Sequence, residues 1–370
     1  MSEWKECTIG ELGKIITGKT PRTAFTENYG GNIPFLSPSD NMDIKYVGDT
    51  NKTLSEQGVR EVKNCLLPEG AVCVSCIGSD LGKVLITTQP TVTNQQINSI
   101  IVNDENDVDF VYYLMTIVGK RLNIISKTST AIPIINKSSF SNHKITLPNL
   151  ETQQKIAGIL SSLDEKIETN RKINARLEAL AQAIFKSWFI DFEPFGGKMP
   201  EDWTECNLED LLTVRYGKDH KYLADGIFPV YGSGGIMRYA EKYLYDKESV
   251  LIPRKGSLNN IYYIDDPFWS VDTMFFTEMK KDNLAKYIYF CLKGLDFESM
   301  NCGSAIPSMS TSILNTLKVI LPSDSALAKF EETINPLLIK VKDLQKESAR
   351  IAELRDTLLP KLMSGELIPE

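Results

Sequence analysis

No stretch of the 370 residues approaches 18 consecutive apolar side chains, so nothing in the sequence reads as a membrane span. Histidine is almost missing. His143 and His220 are the full complement, and their separation argues against a Ser–His or Cys–His catalytic pair. The seven cysteines are odd in number and lack the spacing of a disulfide framework, which points to a reducing cytoplasm. The segment from Met1 to Leu12 is charged from its third residue and does not read as a signal peptide. No Asn/Asp-Pro-Pro-aromatic tetrad, the device with which adenine methyltransferases hold a flipped base, occurs anywhere. Excess positive charge is also lacking. The net charge of −7 argues weakly against a nucleic-acid partner, although phosphate contacts need only local Lys/Arg clusters.

Three short motifs match known chemistry in letters but not in context. The run from Gly13 to Thr20 fits the phosphate-binding pattern GxxxxGK[ST]. That loop needs a strong strand before it and a helix opening at the Lys. Here Pro21 and polar residues follow, so no such helix is expected. Cys73 and Cys76 sit in an alternating apolar run, where a spacing of three directs the thiols to opposite faces; with no second pair nearby, a four-ligand zinc site is not expected. Glu61-Val62-Lys63 with Asp49 upstream has the letters of a nuclease core, but it reads better as a charged helix face.

What the sequence does have is a repeat, the first feature to seek in a long chain. Trp4-Lys5-Glu6-Cys7 returns 199 positions later as Trp203-Thr204-Glu205-Cys206, and Gly18-Lys19 returns as Gly217-Lys218. Further on the offset is 174, relating Ala131-Ile132-Pro133 to Ala305-Ile306-Pro307, Leu147-Pro148 to Leu321-Pro322, and Ala175-Arg176 to Ala349-Arg350. The second copy has therefore lost about 25 residues between these landmarks. The surviving Gly-Lys pair suits contact with a phosphate.

After Leu147-Pro148, apolar residues step by three and four: Ile156, Leu160, Leu163, Ile167, Asn170, Asn174, Leu177, Ala181, Ile184 and Trp188. This is an a/d seam longer than four heptads. Its image at offset 174 runs from Phe330 through Ile334, Leu337, Val341, Leu344, Ser348, Ile351 and Arg355 to Leu358. Thr152 with Lys155 is a partial start signal. Pro194 with Gly196-Gly197 is expected to end the first helix, and Pro360 with Gly365 the second. Two equivalent helices with matching seams most simply pack on each other, antiparallel if a pseudo-twofold axis relates the copies; otherwise each packs on its own domain. About 33 residues at 1.5 Å each span about 50 Å. Asn170, Asn174 and Ser348 interrupt the seam and are the candidates for fixing its register.

The remaining parts read as mixed α/β. Ala71–Val74, Val84–Ile86, Val250–Ile252 and Ile261–Ile264 are expected strands, and Asp109–Leu114 and Ala285–Phe290 are matching short amphipathic helices. The expected class is α+β, with two pseudo-symmetric α/β domains separated by an antiparallel two-helix coiled coil. The boundaries are 1–146 and 197–320 for the domains, 147–196 for the central helix and 321–370 for the C-terminal helix.

The chain resembles the specificity subunits of type I restriction–modification systems over its whole length. The strongest piece runs from Leu147-Pro148 to Phe195, including Leu150–Ala157 and Phe185–Phe195. Thr93–Asn98, Tyr231–Gly235, Val271–Met274, the Ala-Ile-Pro strings and the close Leu359–Leu367 add to it. The resemblance implies two target-recognition domains, each reading half of a split, asymmetric double-stranded DNA target, with the helix pair as a ruler. It implies two modification subunits that bind S-adenosylmethionine and methylate adenine, and restriction subunits that use ATP and Mg to translocate and cut DNA. This chain would then be non-catalytic, cytoplasmic, and without cofactor, metal or membrane contact of its own. Half-sites one turn apart lie about 34–36 Å centre to centre, within reach of such a rod. Expected DNA-binding residues are Lys19, Thr20, Arg22, Ser37, Ser39 and Asn41 in the first copy, and Lys218, Lys221, Ser233, Arg254, Lys255 and Ser257 in the second. Asn94-Gln95-Gln96 and the Tyr231–Gly235 turn serve either as readers or as scaffold. Two other arrangements share the same repeat: a DNA-binding regulator without partners, and a recognition subunit whose partner fuses methyltransferase and nuclease.

Overall fold

A computed structural model describes residues 4–78, 80–126, 135–301 and 307–369, the side chains of 125 and 126 excepted. The chain forms two compact units, Met1–Thr169 with Glu347–Glu370, and Asn170–Lys346. The repeated strings Ala131-Ile132-Pro133 and Ala305-Ile306 lie outside the described residues.

In the first unit the strands are β1 (Lys5–Thr8), β2 (Gly13–Thr17), β3 (Tyr29–Leu36), β4 (Thr53–Leu54), β5 (Leu66–Leu67), β6 (Val72–Ser75), β7 (Val84–Ile86), β8 (Thr91–Thr93), β9 (Ile97–Val102) and β10 (Lys144–Leu147). The helices are α1 (Glu56–Glu61), α2 (Val108–Ser126), α3 (Lys137–Ser141) and α4 (Leu150–Phe189), the last shared with the second unit. One sheet has the order β2-β9-β6-β7 and a second β4-β3-β8-β5, in which β3 and β8 run parallel. Alternation along β6 explains why both of its faces are buried. Val72 and Val74 join the α2 residues Phe110, Val111, Leu114 and Met115 in one core. Ala71 and Cys73 face Leu36, Leu67 and Leu85 in another. Each fully buried aliphatic side chain is worth roughly 1.5–3 kcal/mol. Cys73 and Cys76 accordingly line different cores, and burial pushes the two thiols up to about 12 and about 11. The GxxxxGK[ST] letters lie on β2 and the turn after it, with no helix opening at Lys19.

The second unit repeats this plan with β11 (Thr204–Asn207), α5 (Leu208–Leu211), β12 (Leu212–Tyr216), β13 (Asp225–Gly232), β14 (Gly235–Ala240), β15 (Ser249–Pro253), β16 (Tyr262–Ile264), β17 (Trp269–Ser270), β18 (Met274–Met279), α6 (Leu284–Lys293), α7 (Thr311–Asn315), β19 (Lys318–Leu321) and α8 (Asp324–Met363), the last shared with the first unit. Its sheets are β12-β18-β15-β16 and β14-β13-β17, with β13 and β17 parallel. Val250 and Ile252 of β15 face α6, and Leu251 faces the other way toward Val230 and Phe268, the alternation seen in β6. Each unit also carries an antiparallel strand pair that ties its beginning to its end: Lys5 opposite Leu147, and Thr204 opposite Leu321.

Both long helices have 40 residues, so at 1.5 Å per residue each is about 60 Å long rather than the 50 Å expected. The start of α4 is capped by Asn149, whose Oδ1 accepts the Thr152 amide at 2.9 Å, so the Thr152/Lys155 signal is not the cap. The helix ends at Phe189, and Phe192, Gly196 and Gly197 all take positive φ in the turn that follows. Pro360 does not stop α8, which runs through Pro336 and Pro360 to Met363. A proline inside a helix forfeits one backbone bond. Near Pro360 that loss is offset because Leu359, Leu362 and Met363 bury themselves against Ile156, Ala157 and Leu160.

None of the seam residues named from the sequence is exposed. Within the first unit α4 and the end of α8 run antiparallel: Leu362 packs in one core with Ile156, Arg355 Nη1 reaches Asp164 at 2.7 Å, and Glu347 reaches Lys166 at 3.4 Å. Within the second unit Phe330, Ile334 and Leu337 share a core with Ala181, Ile184, Phe185 and Phe189. There the Phe330 ring meets Phe189 edge-on at 5.0 Å. Asn170 is fully buried, while Asn174 and Ser348 are half-buried.

Candidate nucleic-acid interface

In both units the candidate surface is built from the chain segments that leave the ends of four strands. In the first unit β2 ends in Gly18-Lys19, whose amides donate to Ile97 O at 3.1 Å and Thr93 O at 2.9 Å. In the second, Gly217 and Lys218 donate to Met274 O at 3.0 Å and Ser270 O at 2.8 Å. The acceptors correspond one to one, 177 positions apart, so Thr93–Ile97 and Ser270–Met274 are the same loop. Neither glycine can be replaced cheaply. A Cβ on Gly18 would sit 2.2 Å from Asn94 O, and one on Gly217 would sit 2.0 Å from Val271 O.

The loop after β3 lies next to this turn, because Asn94 N donates to Leu36 O at 2.9 Å. Val271 N donates to Tyr231 O at 3.0 Å in the matching place, so Ser37 and Gly232 are equivalent and Ser233 belongs to the same loop. The fourth segment follows β6 and β15. Cys76 N donates to Gln96 O at 2.8 Å, and Arg254 N donates to Thr273 O at 2.8 Å.

The residues singled out from the sequence fall on these segments. Lys19 is exposed, and Thr20 Oγ1 donates to Gln95 Oε1 at 2.7 Å. Arg22 is exposed but its Nε donates to Glu61 Oε1 at 2.9 Å, and the guanidinium stands 4.5 Å from the Phe25 ring. The same Glu61 accepts from Asn28 Nδ2 at 2.8 Å. Burial pushes the Glu61 carboxyl up, but these hydrogen bonds hold it below its usual range. Glu61 is therefore a structural anchor for Arg22, in place of the nuclease role its letters suggest. Ser37 is tied to Asp40 through both its amide (2.8 Å) and its hydroxyl (2.9 Å). Ser39 contacts the Ser37 hydroxyl at 2.7 Å, and the exposed Asn41 accepts the Asp43 amide at 3.0 Å. Within Asn94-Gln95-Gln96, Asn94 is buried and bonded to Gln96 on both sides of its amide, so it builds the loop, and Gln95 is the exposed member.

In the second unit Lys218 is exposed and its carbonyl accepts from Trp269 Nε1 at 3.0 Å. Lys221 caps back to Asp219 through its amide at 3.1 Å. Ser233 presents its carbonyl to Asn260 Nδ2 at 2.8 Å, which draws the β13–β14 turn against the loop holding Lys255 and Ser257, both exposed. Arg254 lies over the Tyr216 ring at 5.3 Å and donates to Asp272 O at 3.0 Å. Neither Tyr216 nor the apolar residues exposed on the β13–β14 hairpin stand out in the sequence; there Ile227 and Met237 are 79% and 59% exposed.

Behind each surface a buried lysine joins the domain to a long helix. Lys45 Nζ reaches Asp109 at 2.9 Å and Ser161 of α4 at 2.8 Å. Lys286 of α6 pairs with Glu248 at 2.9 Å and with Glu331 of α8, and Tyr263 OH donates to Glu248 at 2.5 Å. Among the described residues no group of three or more His, Cys, Asp or Glu could hold a metal ion, and no helix is long and apolar enough to cross a membrane.

A family profile described as the type I restriction modification DNA specificity domain matches residues 1–179 and again 200–351, once for each copy. The HindI specificity subunit of a type I restriction enzyme from Haemophilus influenzae is 34% identical, over 99% of this chain and all 100% of that protein. The MjaIX specificity subunit from Methanocaldococcus jannaschii is 29% identical over 99% of this chain and 94% of its own length. The crystal structure of an S subunit of a type I restriction–modification system from M. genitalium superposes with a TM-score of 0.65, covering 100% of this chain and 97% of that one. At 21% identity that likeness concerns the fold.

Proposed function

Since this chain belongs to the type I restriction modification DNA specificity family, we propose that it reads a split, asymmetric DNA target and directs adenine methylation and restriction carried out by partner subunits. Its own role is recognition, not catalysis. The observation that carries the proposal is the pair of candidate surfaces: equivalent backbone hydrogen bonds at the Gly-Lys turns, with different residues around them. Cys76 in the first unit stands where Arg254 stands in the second. Two readers on one scaffold with unlike side chains suit two unlike half-sites, because bases are distinguished by the donors and acceptors presented to them.

In this reading α4 and α8 set the spacing between the half-sites, and Asn170, Asn174 and Ser348 help to hold their register. The partners are two modification subunits, which supply S-adenosylmethionine chemistry, and restriction subunits, which supply ATP- and Mg-dependent translocation and cleavage. All would meet double-stranded DNA in the cytoplasm. The test is methylome sequencing of a host that carries the modification partner, with and without this chain. A split adenine-methylated motif present only with the chain is expected. Methylation or cleavage by the purified chain alone would overturn the reading.

A further inference from the structure

We propose that the two Gly-Lys turns are matched phosphate anchors, so that Lys19 and Lys218 hold the DNA backbone without reading bases, and that sequence reading is left to the residues around them. The inference rests on the DNA-recognition reading and assigns a role within it.

Three features carry it. First, the turn is the part of each surface whose side chains and backbone are both kept. The Gly-Lys letters recur, and the four amide bonds that hold them have matching acceptors. The glycines are required because the following loop passes too close for a Cβ. A base-reading residue in two domains with different targets would have no reason to stay the same, whereas the phosphate is the same at every base pair.

Second, both ammonium groups are available. Lys19 and Lys218 are exposed and, among the described residues, neither forms an ion pair. The lysines that serve the scaffold differ, as Lys45 with Asp109 and Lys286 with Glu248 and Glu331 show. Lysine is a compact point charge on a flexible stem, well suited to a phosphate oxygen.

Third, each turn has another basic group close by, supplied from an unrelated position. In the first unit the exposed Arg22 follows Lys19 by three residues, with its Nε on Glu61. In the second unit Arg254 lies over Tyr216, the residue immediately before Gly217. A basic side chain from an unrelated position thus flanks each turn, within a chain whose net charge is −7.

The experiment uses the full chain assembled with its modification subunits, and fluorescein-labelled duplexes with either the methylated motif or a scrambled one. The variants are Lys19→Gln, Lys218→Gln, the double variant, and Lys19→Arg with Lys218→Arg as controls that keep the charge. Each Gln variant is expected to weaken both duplexes by the same factor, about five-fold at 0.15 M salt from one released counterion, and to lower the salt slope by about 0.9. The double variant should show the product of the two factors and the sum of the slopes, with the methylated motif unchanged. The Arg controls should bind as the parent does, which excludes misfolding. Weakening confined to the motif duplex, a changed half-site, or parental affinity in the Gln variants overturns the anchor. A parent complex that binds neither duplex overturns the recognition reading, and the anchor with it.

Discussion

Replacing Lys286 with Met should reveal how the second recognition domain is held to its helix. The side chain of Lys286 is 4% exposed, lies between Glu248 and Glu331, and is the buried cation of that cluster. Removing one partner of a buried charge pair costs roughly 3–5 kcal/mol, because the other is left buried and unpaired. Glu248 is 41% exposed at its side chain and can recover water, so the lower end applies, about 3 kcal/mol. For a domain of this size that corresponds to a fall of about 6–12 °C in melting temperature. The loss should depend on pH. Burial pushes Glu248 up, but hydrogen bonds from Tyr263 and Lys286 outweigh it and hold the carboxyl below its usual range. Burial likewise lowers Lys286, and its bonds to Glu331 and Glu248 outweigh that and hold it above its usual range. A lowered carboxylate contributes stability above its unfolded pKa, lost as pH falls through the folded value. A raised lysine contributes stability below its unfolded pKa, lost as pH rises through the folded value. The cluster therefore stabilises the parent at neutral pH, and the deficit of Lys286→Met should be largest there and shrink as the pH falls toward the lowered folded value of Glu248. Urea titrations of parent and variant followed by tryptophan fluorescence at pH 7 and pH 4 measure it. Equal stability at pH 7, or the same deficit at both pH values, would refute the reasoning.

Arg254→Ala should relax the methylated motif at one position of one half-site, by about 1–3 kcal/mol in binding discrimination, and leave the other half unchanged; methylome sequencing reports both halves at once. Inserting four residues beside Asn170, with a matching insertion in α8, should lengthen the unread spacer and keep both half-sites. Altered half-sites at the old spacing would sink the ruler. The Cys73 and Cys76 thiols, pushed up to about 12 and about 11 by burial, should resist iodoacetamide at pH 8 in the folded protein and react after denaturation. Mass spectrometry of the labelled peptides distinguishes the two states.

Much of the scaffold is legible in the sequence because long helices leave a periodic trace. Ile156 through Trp188 and their images at 174 define a seam none of whose members is exposed. The ends were harder. Asn149 caps α4 because an Asn before a helix outcompetes the weaker Thr152 signal, and Pro360 continues α8 because Leu359 and Leu362 are packed on both sides of it. The equivalence of the two candidate surfaces is legible in the sequence only at Gly18-Lys19 and Gly217-Lys218. The loops that hold those turns, Thr93–Ile97 and Ser270–Met274, share no residue at any aligned position, so their equivalence appears only in backbone hydrogen bonds. The pairing of Lys5 with Leu147 spans most of a domain, and no local pattern announces it.

Trp203 packs against Phe189, Phe192 and Phe195 at the end of α4, edge-on to the last two. Its counterpart Trp4 packs in the core that holds Leu359, Leu362 and Met363 at the end of α8, and a Cβ on Gly365 would lie 2.6 Å from its Nε1. The close of each copy thus serves as the seat for the opening of a copy, and the order of the two is cyclic. A chain opened in the 196–202 linker and spliced from Gly365 to Trp4 would keep every one of these seats. Cutting the chain there would leave two single-copy pieces, each carrying the seat that the other's opening tryptophan needs.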